Sequence, residues 1–429
     1  MIIIKYPNKN EWKDVLKRPE MDFSALQDKV RTILNDVMEN GDRAVIKYTR
    51  QFDQTSLKDL KVSGKEMKEA GNKLTTELKE AIMLAKDNIE KFHKAQQTKT
   101  LTIETMPGVT CWQKSVAIEK VGLYIPGGTA PLFSTVLMLA VPAKIAGCKE
   151  IILCSPPDKD GKLHPAILYA AKLAGVTTVY KAGGVQAIGA MAYGTETIPK
   201  VYKIFGPGNQ YVTAAKQYAG MTGTAIDIPA GPSEVAVMID YSCNTEFVAA
   251  DLLAQAEHGA DSQVLLVAAD EQLIIQAIDE LYRQVEWLPR RDMAMQAIED
   301  SKAVVLKDET EMIALINEYA PEHLIIAMKD PNVTAEKIVN AGSVFIGNYT
   351  PESIGDYTSG TNHTLPTNGF AKMYSGVNLD SFVKKITFQE VTRKGIQNIG
   401  QATEIMAEAE NLTAHKNAVT VRLKTLKKK

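Results

Sequence analysis

The chain has 429 residues, 45% of them hydrophobic, which allows two or three domains with a large core. A formal net charge of −2 gives no reason to expect binding to nucleic acid, so we expect small-metabolite partners and interpret Lys427 to Lys429 as a solvated end. No apolar stretch reaches the roughly 18 residues of a membrane span, and we expect a cytoplasmic protein.

The first 120 residues predict one strand, two helices and a hairpin. Met1 to Tyr6 has only a short apolar run, which predicts a strand and not a signal peptide. Phe23 to Gly41 and Leu78 to Phe92 carry apolar residues at helical spacing, and the first of these ends at an Asn-Gly stop. A hairpin is expected for Leu101 to Thr105 and Val109 to Ser115. These elements are expected to cover the rest of the fold.

From residue 121 onward, short apolar strands alternate with helices. The predicted strands are Val121 to Ile125, Glu150 to Cys154, Thr177 to Tyr180, Val201 to Phe205, Val235 to Ile239, Gln263 to Ala268, Ala303 to Leu306, Leu324 to Met328 and Val344 to Ile346. Such alternation is typical of parallel sheets with helices on both faces. A Pro/Gly-rich break, Pro229 to Ser233, divides the strands into two groups.

The predicted fold is therefore α/β, with two doubly wound, Rossmann-like parallel-sheet units and a helical C-terminal extension. We place the covering helices and hairpin in residues 1–120, the first unit in 121–233 and the second in 234–378. Residues 379–429 form a polar tail that is expected to be helical, without a strand.

The four cysteines indicate neither disulfides nor a thiolate metal site. Cys111, Cys148, Cys154 and Cys243 form no C-x-x-C pair, and three of them fall in or beside apolar strands. Buried reduced thiols are therefore expected. Any metal would use nitrogen and oxygen ligands.

Two glutamate-histidine pairs lie where a helical pattern gives way to a strand. Near Glu257-His258, Gln255 and His258 are three residues apart on a helical run, so an amide oxygen and an imidazole would project from one face. Glu322-His323 follows a helix-breaking Pro321. The pattern indicates an acid/base pair beside a metal site, although such histidines can equally be ordinary core or surface residues.

Glycine-rich turns follow three strands of the first unit. They span Pro126 to Thr129, Gly183 to Gln186 and Gly206 to Asn209, and a helix follows each. Glycines at such places let the backbone approach a phosphate at a helix N-terminus, although tight turns without a ligand have the same composition. The dinucleotide fingerprint is incomplete, because Gly206 to Tyr211 lacks the last glycine of G-x-G-x-x-G.

Several segments together resemble the histidinol dehydrogenase family. They are Gly122 to Gly128, Pro131 to Val136, Ala182 to Ile188, Phe205 to Asn209, Pro229 to Glu234, Gln255 to Gly259, Ala320 to Leu324, Gly342 to Gly347 and Glu410 to His415. The resemblance implies oxidation of L-histidinol through L-histidinal to L-histidine, by two successive NAD-dependent hydride transfers. It also implies one zinc ion per subunit that anchors the substrate, and a homodimer.

The resemblance implies a metal site and a set of substrate contacts. The implied metal ligands, which also contact the substrate, are Gln255, His258, Asp356 and His415. Zinc suits this set, and manganese or cobalt would also be accepted. The other implied substrate contacts are Ser233, His323, His363 and Glu410. From the residues alone, Asp356 could equally cap a loop and Ser233 a turn.

Glu410 and His415 cannot both reach one site from a continuous helix. They are five residues apart, or about 140° around a continuous helix, so both can reach one site only if the helix breaks near Asn411 to Thr413. The resemblance implies that they complete the site of the neighbouring subunit.

The resemblance assigns catalysis to the second glutamate-histidine pair. Alcohol oxidation needs a base for the hydroxyl proton, for which His323 is the candidate. Aldehyde oxidation also needs water to form a gem-diol, and Glu322 is placed to activate that water. On the NAD side the resemblance implies Tyr124, Gln186 and Asn209.

Three other functions remain open from the sequence. A metallohydrolase would use similar ligands and a glutamate base, but it would not need three glycine-rich turns. A non-catalytic binding or scaffold protein would be indifferent to loss of Glu322 and His323. A dehydrogenase of another small alcohol is the nearest alternative.

Overall fold

The computed structural model describes residues 1–18, 23–127, 130–228 and 231–426. The expectations for residues 128–129 of the first glycine-rich turn, for 229–230 of the Pro/Gly break and for the end Lys427 to Lys429 lie outside these residues.

The strands of the described chain are β1 (Ile2–Lys5), β2 (Leu101–Met106), β3 (Val109–Ala117), β4 (Lys120–Tyr124), β5 (Glu150–Ser155), β6 (Thr178–Lys181), β7 (Lys203–Phe205), β8 (Ala225–Ile226), β9 (Glu234–Ile239), β10 (Gln263–Ala268), β11 (Lys302–Val305), β12 (His323–Ala327), β13 (Ser343–Ile346) and β14 (Val383–Val391).

The helices are α1 (Trp12–Val15), α2 (Phe23–Phe52), α3 (Gly64–Glu69), α4 (Thr76–Lys94), α5 (Phe133–Ala146), α6 (Pro165–Ala174), α7 (Gly184–Tyr193), α8 (Gln210–Met221), α9 (Thr245–Ala256), α10 (Glu271–Val285), α11 (Arg291–Glu299), α12 (Glu309–Tyr319), α13 (Pro331–Ala335), α14 (Glu352–Tyr357), α15 (Arg393–Ala409) and α16 (Thr413–Leu426). None of these helices is long and apolar enough to cross a membrane.

The chain forms two compact units. The larger comprises Met1–Ala95 and Ile118–Phe382, and the smaller comprises Gln96–Ala117 and the chain from Val383 onward. The boundaries expected at residues 120, 233 and 378 stay predictions.

The larger unit contains two parallel sheets with the same winding. The first has strand order β6-β5-β4-β7-β8, and the second has β1-β11-β10-β9-β12-β13. Apart from β1, which lies at the edge of the second sheet, the strands of each sheet start near the middle (β4 and β9), move outward to one side and then cross to the other, which is the doubly wound arrangement. The predicted α/β class with parallel sheets is confirmed.

Both faces of each sheet are buried. In β5, Ile151 and Leu153 face one apolar cluster, while Ile152 and Cys154 face another. The strands of the second sheet alternate between two clusters in the same way. Burial on both faces explains why these strands have continuous apolar sequences and were recognisable as strands. Cys154 is a buried free thiol, as predicted.

Several N-terminal features differ from expectation. The first strand, β1, joins the second sheet beside β11, so the N-terminus also contributes to the sheet that it was expected only to cover. Helix α2 does break at Gly41, with φ 54° and ψ −132°, but it resumes at once and continues to Phe52. Outside the N-terminal region, the short strand β8 at the edge of the first sheet was also not predicted.

The smaller unit corrects the prediction for the tail. Residues Val383–Val391 form a nine-residue strand, β14, that pairs antiparallel with β3, and the predicted hairpin β2-β3 completes a three-stranded sheet. The ring of Phe388 stacks on Trp112 with centroids 5.3 Å apart. Most residues of β14 are exposed and polar, so its sequence carries little apolar signal.

Candidate active site

The second glutamate-histidine pair lies at the amino end of the second sheet. His323 is the first residue of β12, and it is in register with Val235 on the neighbouring strand β9. Ligands of open α/β sheets usually bind at the carboxyl ends of strands. This cluster therefore uses the opposite edge, where helices end and strands begin.

The backbone before the pair turns sharply. Helix α12 ends at Tyr319, its cap residue Ala320 has a left-handed φ of 53°, and Pro321 prevents the helix from continuing. Just before the neighbouring strand β13, Gly342 leaves room for this turn, because a Cβ there would lie 2.5 Å from the carbonyl oxygen of Glu322. The next amide, of Ser343, donates to the same oxygen at 2.9 Å.

One residue, Glu234, contacts both members of the pair through its main chain. Its amide donates to Glu322 Oε2 at 2.9 Å, and its carbonyl oxygen lies 3.2 Å from His323 Nδ1. A carbonyl oxygen can only accept a hydrogen bond, so Nδ1 carries a proton. In the neutral ring, the lone pair is then on Nε2, which has no hydrogen-bond partner in the described chain.

Three carboxylates surround the His323 imidazole. Glu322 Oε2 and Glu352 Oε1 lie 3.7 and 3.8 Å from Nδ1, and Asp356 Oδ1 lies 3.5 Å from Nε2. Burial alone would lower the pKa of His323, but the negative charges, led by Glu352 and Glu322, outweigh it and raise the pKa. Burial raises the pKa of Glu322 to about 8.

The residues beside His323 fit a metal ion. One ligand atom each from His258, Glu352 and Asp356 lie within 4.8 Å of one another. Within the described chain, Glu352 Oε2, Asp356 Oδ1 and both amide atoms of buried Gln255 lack hydrogen-bond partners. Buried polar atoms without protein partners are satisfied by water or by a bound ion. A nitrogen and oxygen donor set suits a divalent metal such as zinc, manganese or cobalt.

Gln255 and His258 are close in space but not on one continuous helix. Helix α9 ends at Ala256, with Glu257 as its cap, and the His258 amide donates to the Gln255 carbonyl at 3.2 Å. Gln255 is fully buried and His258 is exposed.

His363 lies against the same cluster. Its Nδ1 donates to the Asp356 carbonyl oxygen at 2.9 Å, and its Nε2 lies 3.0 Å from Thr135 Oγ1. Burial lowers the pKa of His363, which favours this neutral form. Ser233 immediately precedes β9, and its carbonyl accepts from Gln263.

Glu352 was not identified from the sequence. It opens α14, four residues before Asp356, so the two carboxylates share one helix face. That spacing was visible in the sequence, but a Glu-Asp pair at i,i+4 is ordinary on solvated helices.

Glu410 and His415 belong to the smaller unit and are exposed. The helix break expected between them is confirmed, because α15 ends at Ala409, α16 begins at Thr413 and Asn411 has a left-handed φ of 59°.

A large cleft lies at the carboxyl edge of the first sheet. Its volume is about 1480 Å³, and Tyr124, Gln186 and Asn209 are among the residues that line it. The order of the sheet reverses between β4 and β7, so this edge is the switch point where such folds bind ligands. Gly206 is required there, since its φ is 128° and a Cβ would lie 2.0 Å from the Tyr124 carbonyl oxygen.

Hydrogen bonds fix the polar groups of this cleft. The Tyr124 hydroxyl accepts from the Gly184 amide at 3.1 Å, and the Asn209 side chain caps α8. Gln186 is 1% exposed, and its Oε1 has no partner among the described residues.

A buried histidine flanked by carboxylates, on a parallel-sheet fold with a separate cleft at a switch point, is the arrangement of an α/β enzyme. Within that class, the chain belongs to the histidinol dehydrogenase family, whose sequence profile matches residues 16–423.

Individual proteins agree with the family assignment. The chain is 62% identical to a histidinol dehydrogenase of Bacteroides fragilis over 428 residues, which is all of both chains. It is 51% identical to the chloroplastic histidinol dehydrogenase of Arabidopsis thaliana, over 97% of this chain and 90% of the relative. The crystal structure of histidinol dehydrogenase from Elizabethkingia anophelis superimposes with a TM-score of 0.97 at 56% identity, over 100% of this chain and 99% of that one.

Gly342→Ala tests the steric control of Glu322. The added Cβ would meet the Glu322 carbonyl, so the backbone must shift, and a shift of about 1 Å can reduce turnover by about 10²-fold. We expect a large loss of dehydrogenase activity with a retained fold. Gly220→Ala is the matched control, because nothing lies within 4 Å of its Cβ position. Equal activity of the two variants would contradict this packing.

Proposed function

We propose that this protein oxidises L-histidinol to L-histidine through L-histidinal, in two successive NAD-dependent steps that end histidine biosynthesis. The observation that carries the proposal is the pairing of Glu322 and His323 through Glu234. The Glu234 carbonyl occupies His323 Nδ1, so Nε2, which lies 3.5 Å from Asp356 Oδ1, is the nitrogen left to exchange a proton with the substrate.

His323 is the base of both oxidations. With Nδ1 held by the Glu234 carbonyl, Nε2 accepts the hydroxyl proton of the alcohol as hydride leaves the carbon. The fixed ring orientation matters, because proton transfer needs hydrogen-bond geometry to the reacting group.

Glu322 is needed for the second oxidation. An aldehyde has no hydroxyl proton to remove, so water must first add to give a gem-diol. A carboxylate whose pKa is raised by burial is a stronger base than an ordinary glutamate, and it can accept the proton of that water. As water adds, the proton that His323 took in the first step passes to the aldehyde oxygen, which completes the gem-diol and frees His323. His323 then takes a hydroxyl proton of the gem-diol as the second hydride leaves.

The metal ligands in this proposal are Gln255, His258, Asp356 and His415. When bound, zinc would anchor the imidazole and amino nitrogens of the substrate and offset the carboxylate charges that raise the pKa of His323. The orphaned atoms of Gln255 and Asp356 support the assignment. Ser233, His363 and Glu410 complete the substrate contacts, together with His323.

Tyr124, Gln186 and Asn209 are the proposed contacts of NAD, which would supply the hydride acceptor. The cleft volume, the reversal of strand order and the glycine turns support this assignment. Helices α7 and α8 begin at this edge, and helix N-termini favour anionic phosphates.

The proposed assembly is a homodimer in which Glu410 and His415 reach the neighbour's site. The tail helices α15 and α16 expose Ile405, Met406 and Val421, and the turn between them exposes Leu412. Apolar side chains grouped on a small unit are typical of a subunit interface. Both Glu410 and His415 are also exposed and available to a second chain.

Glu322→Gln tests the proposed function together with the separate roles of Glu322 and His323. Wild-type enzyme is expected to yield two NADH per histidinol, since both steps reduce NAD. The variant should lose about 10²-fold or more with histidinal and less in the first step with histidinol, because only aldehyde oxidation needs activated water. His323→Asn should slow both steps.

Single-turnover absorbance of NADH measures each step. No NADH from histidinol with wild-type, metal-loaded protein would refute the function. Equal losses of both steps in Glu322→Gln would refute only the water-activating role.

His258→Asn tests the metal site. Loss of one ligand weakens the metal, and the metal anchors substrate, so metal content and substrate affinity should fall together while the fold persists. A chelator should reproduce the loss in wild type, and added zinc should reverse it there but not in the variant. Full zinc in the variant by elemental analysis would remove His258 from the ligands.

Mixed dimers test the shared site. His323→Asn and His415→Asn should each be nearly inactive alone. Refolded together in equal amounts, about half of the dimers are mixed, each with one intact site, so roughly a quarter of wild-type activity should return. If mixed dimers form but activity does not exceed the sum of the parents, the tail acts in its own subunit's site.

A further inference from the structure

The backbone of Glu234 contacts Glu322 and His323, and its side chain is held in place by hydrogen bonds of its own. Its carboxylate is 2% exposed and accepts from Arg18 Nε at 2.6 Å and Arg18 Nη2 at 2.7 Å. The main-chain amide of Asn368 donates to the same carboxylate at 2.6 Å. The contacts of Glu234 therefore join the side chain of Arg18 to Glu322 and His323.

Arg18 is itself held at a second point. Its Nη2 also donates to the Tyr319 carbonyl at 2.8 Å, and its guanidinium lies 3.9 Å from the centroid of the Tyr319 ring. Tyr319 is the last residue of α12, and the turn to Glu322 follows directly. Arg18 thus links Glu234, the first residue of β9, to Tyr319, the last residue of α12. Glu322 and His323 contact the first of these residues and follow closely after the second in the chain.

Stability alone does not account for a buried ion pair of this kind. The cost of removing both charges from water offsets much of their attraction, and apolar replacements are often neutral or stabilising. A planar guanidinium with two parallel hydrogen bonds does, however, fix the direction of a carboxylate. A lysine ammonium is a point charge and cannot fix that direction.

We propose that Arg18 is a positioning residue for both oxidation steps, acting through Glu234 on Glu322 and His323 at once. The inference rests on the proposed roles of those two residues. Arg18 touches neither of them directly, and it is not among the metal-ligating residues. Its loss therefore changes turnover in both steps and leaves zinc content and substrate KM near wild type.

Arg18→Lys is the main test, because it keeps the charge and removes the two-pronged contact. We expect kcat to fall by about 10- to 10²-fold for histidinol and histidinal alike, as expected for a misplaced catalytic group. Arg283→Lys is the matched control, since Arg283 makes the same two-pronged contact with Glu280 at 2.7 and 2.5 Å on an exposed helix face. It should leave kcat unchanged.

Chemical rescue separates positioning from a loss of folding. Arg18→Ala leaves a space over the Tyr319 ring, so added guanidinium at concentrations below those that unfold the protein should restore part of kcat, and methylammonium should not. Unchanged kcat in Arg18→Lys would overturn the proposal. Parallel losses of kcat, zinc and thermal stability, without rescue, would also overturn it and assign Arg18 to folding alone.

A crystal structure of Arg18→Lys tests the same proposal without an activity assay. The Glu234 amide, which lies 2.9 Å from Glu322 Oε2, and the Glu234 carbonyl oxygen, which lies 3.2 Å from His323 Nδ1, should each move away from these partners by about 1 Å, enough to break both hydrogen bonds. Retention of both contacts would contradict the inference. An inactive wild type with the expected movement in the variant would refute the proposed function but not this coupling.

Discussion

The structure of the candidate site depends on the two main-chain hydrogen bonds of Glu234. Glu322 and His323 are neighbours in sequence, and in a regular strand their side chains would point to opposite faces. The turn after α12 lets Glu322 reach the Glu234 amide while His323 begins β12 and reaches the Glu234 carbonyl. Glu234 binds both residues, so it determines two things at once. It fixes how far the Glu322 carboxylate lies from the His323 ring, and it fixes which ring nitrogen carries the proton.

The two sheets of the larger unit suit ligands of opposite charge. The carboxyl edge of the first sheet presents the N-termini of α7 and α8, where unpaired amides favour anions such as the phosphates of a dinucleotide. The amino edge of the second sheet presents the C-terminal ends of α9 and α12, beside Gln255 and Glu322. Helix C-termini favour positive charge, which suits a metal ion and a protonated imidazole. Two sheets of the same topology thus favour anions at the carboxyl ends of the strands in one sheet and cations at the amino ends of the strands in the other.

Much of this arrangement could be predicted because it has a local cause. The central strands of the parallel sheets are buried on both faces, so each is a short apolar run in the sequence. The break at Asn411 followed from the angle between Glu410 and His415 on a helix, together with the family resemblance that places both residues at one site. In contrast, β14 is largely exposed and polar, and only its pairing with β3 makes it a strand. Arg18 and Glu234 are 216 positions apart, and no local pattern shows that they meet.

The central claim is that Glu234 holds Nδ1 of His323, so that Nε2 is the reacting nitrogen. A crystal structure of the zinc-loaded protein with NAD and L-histidine, a complex that cannot react further, tests it directly. The measured quantity is the distance from each imidazole nitrogen of His323 to the product carboxylate. The account predicts that His323, having accepted the last hydroxyl proton, donates from Nε2 to the product carboxylate while Nδ1 stays on the Glu234 carbonyl. A ring turned so that Nδ1 faces the product, with the Glu234 contact broken, would contradict it.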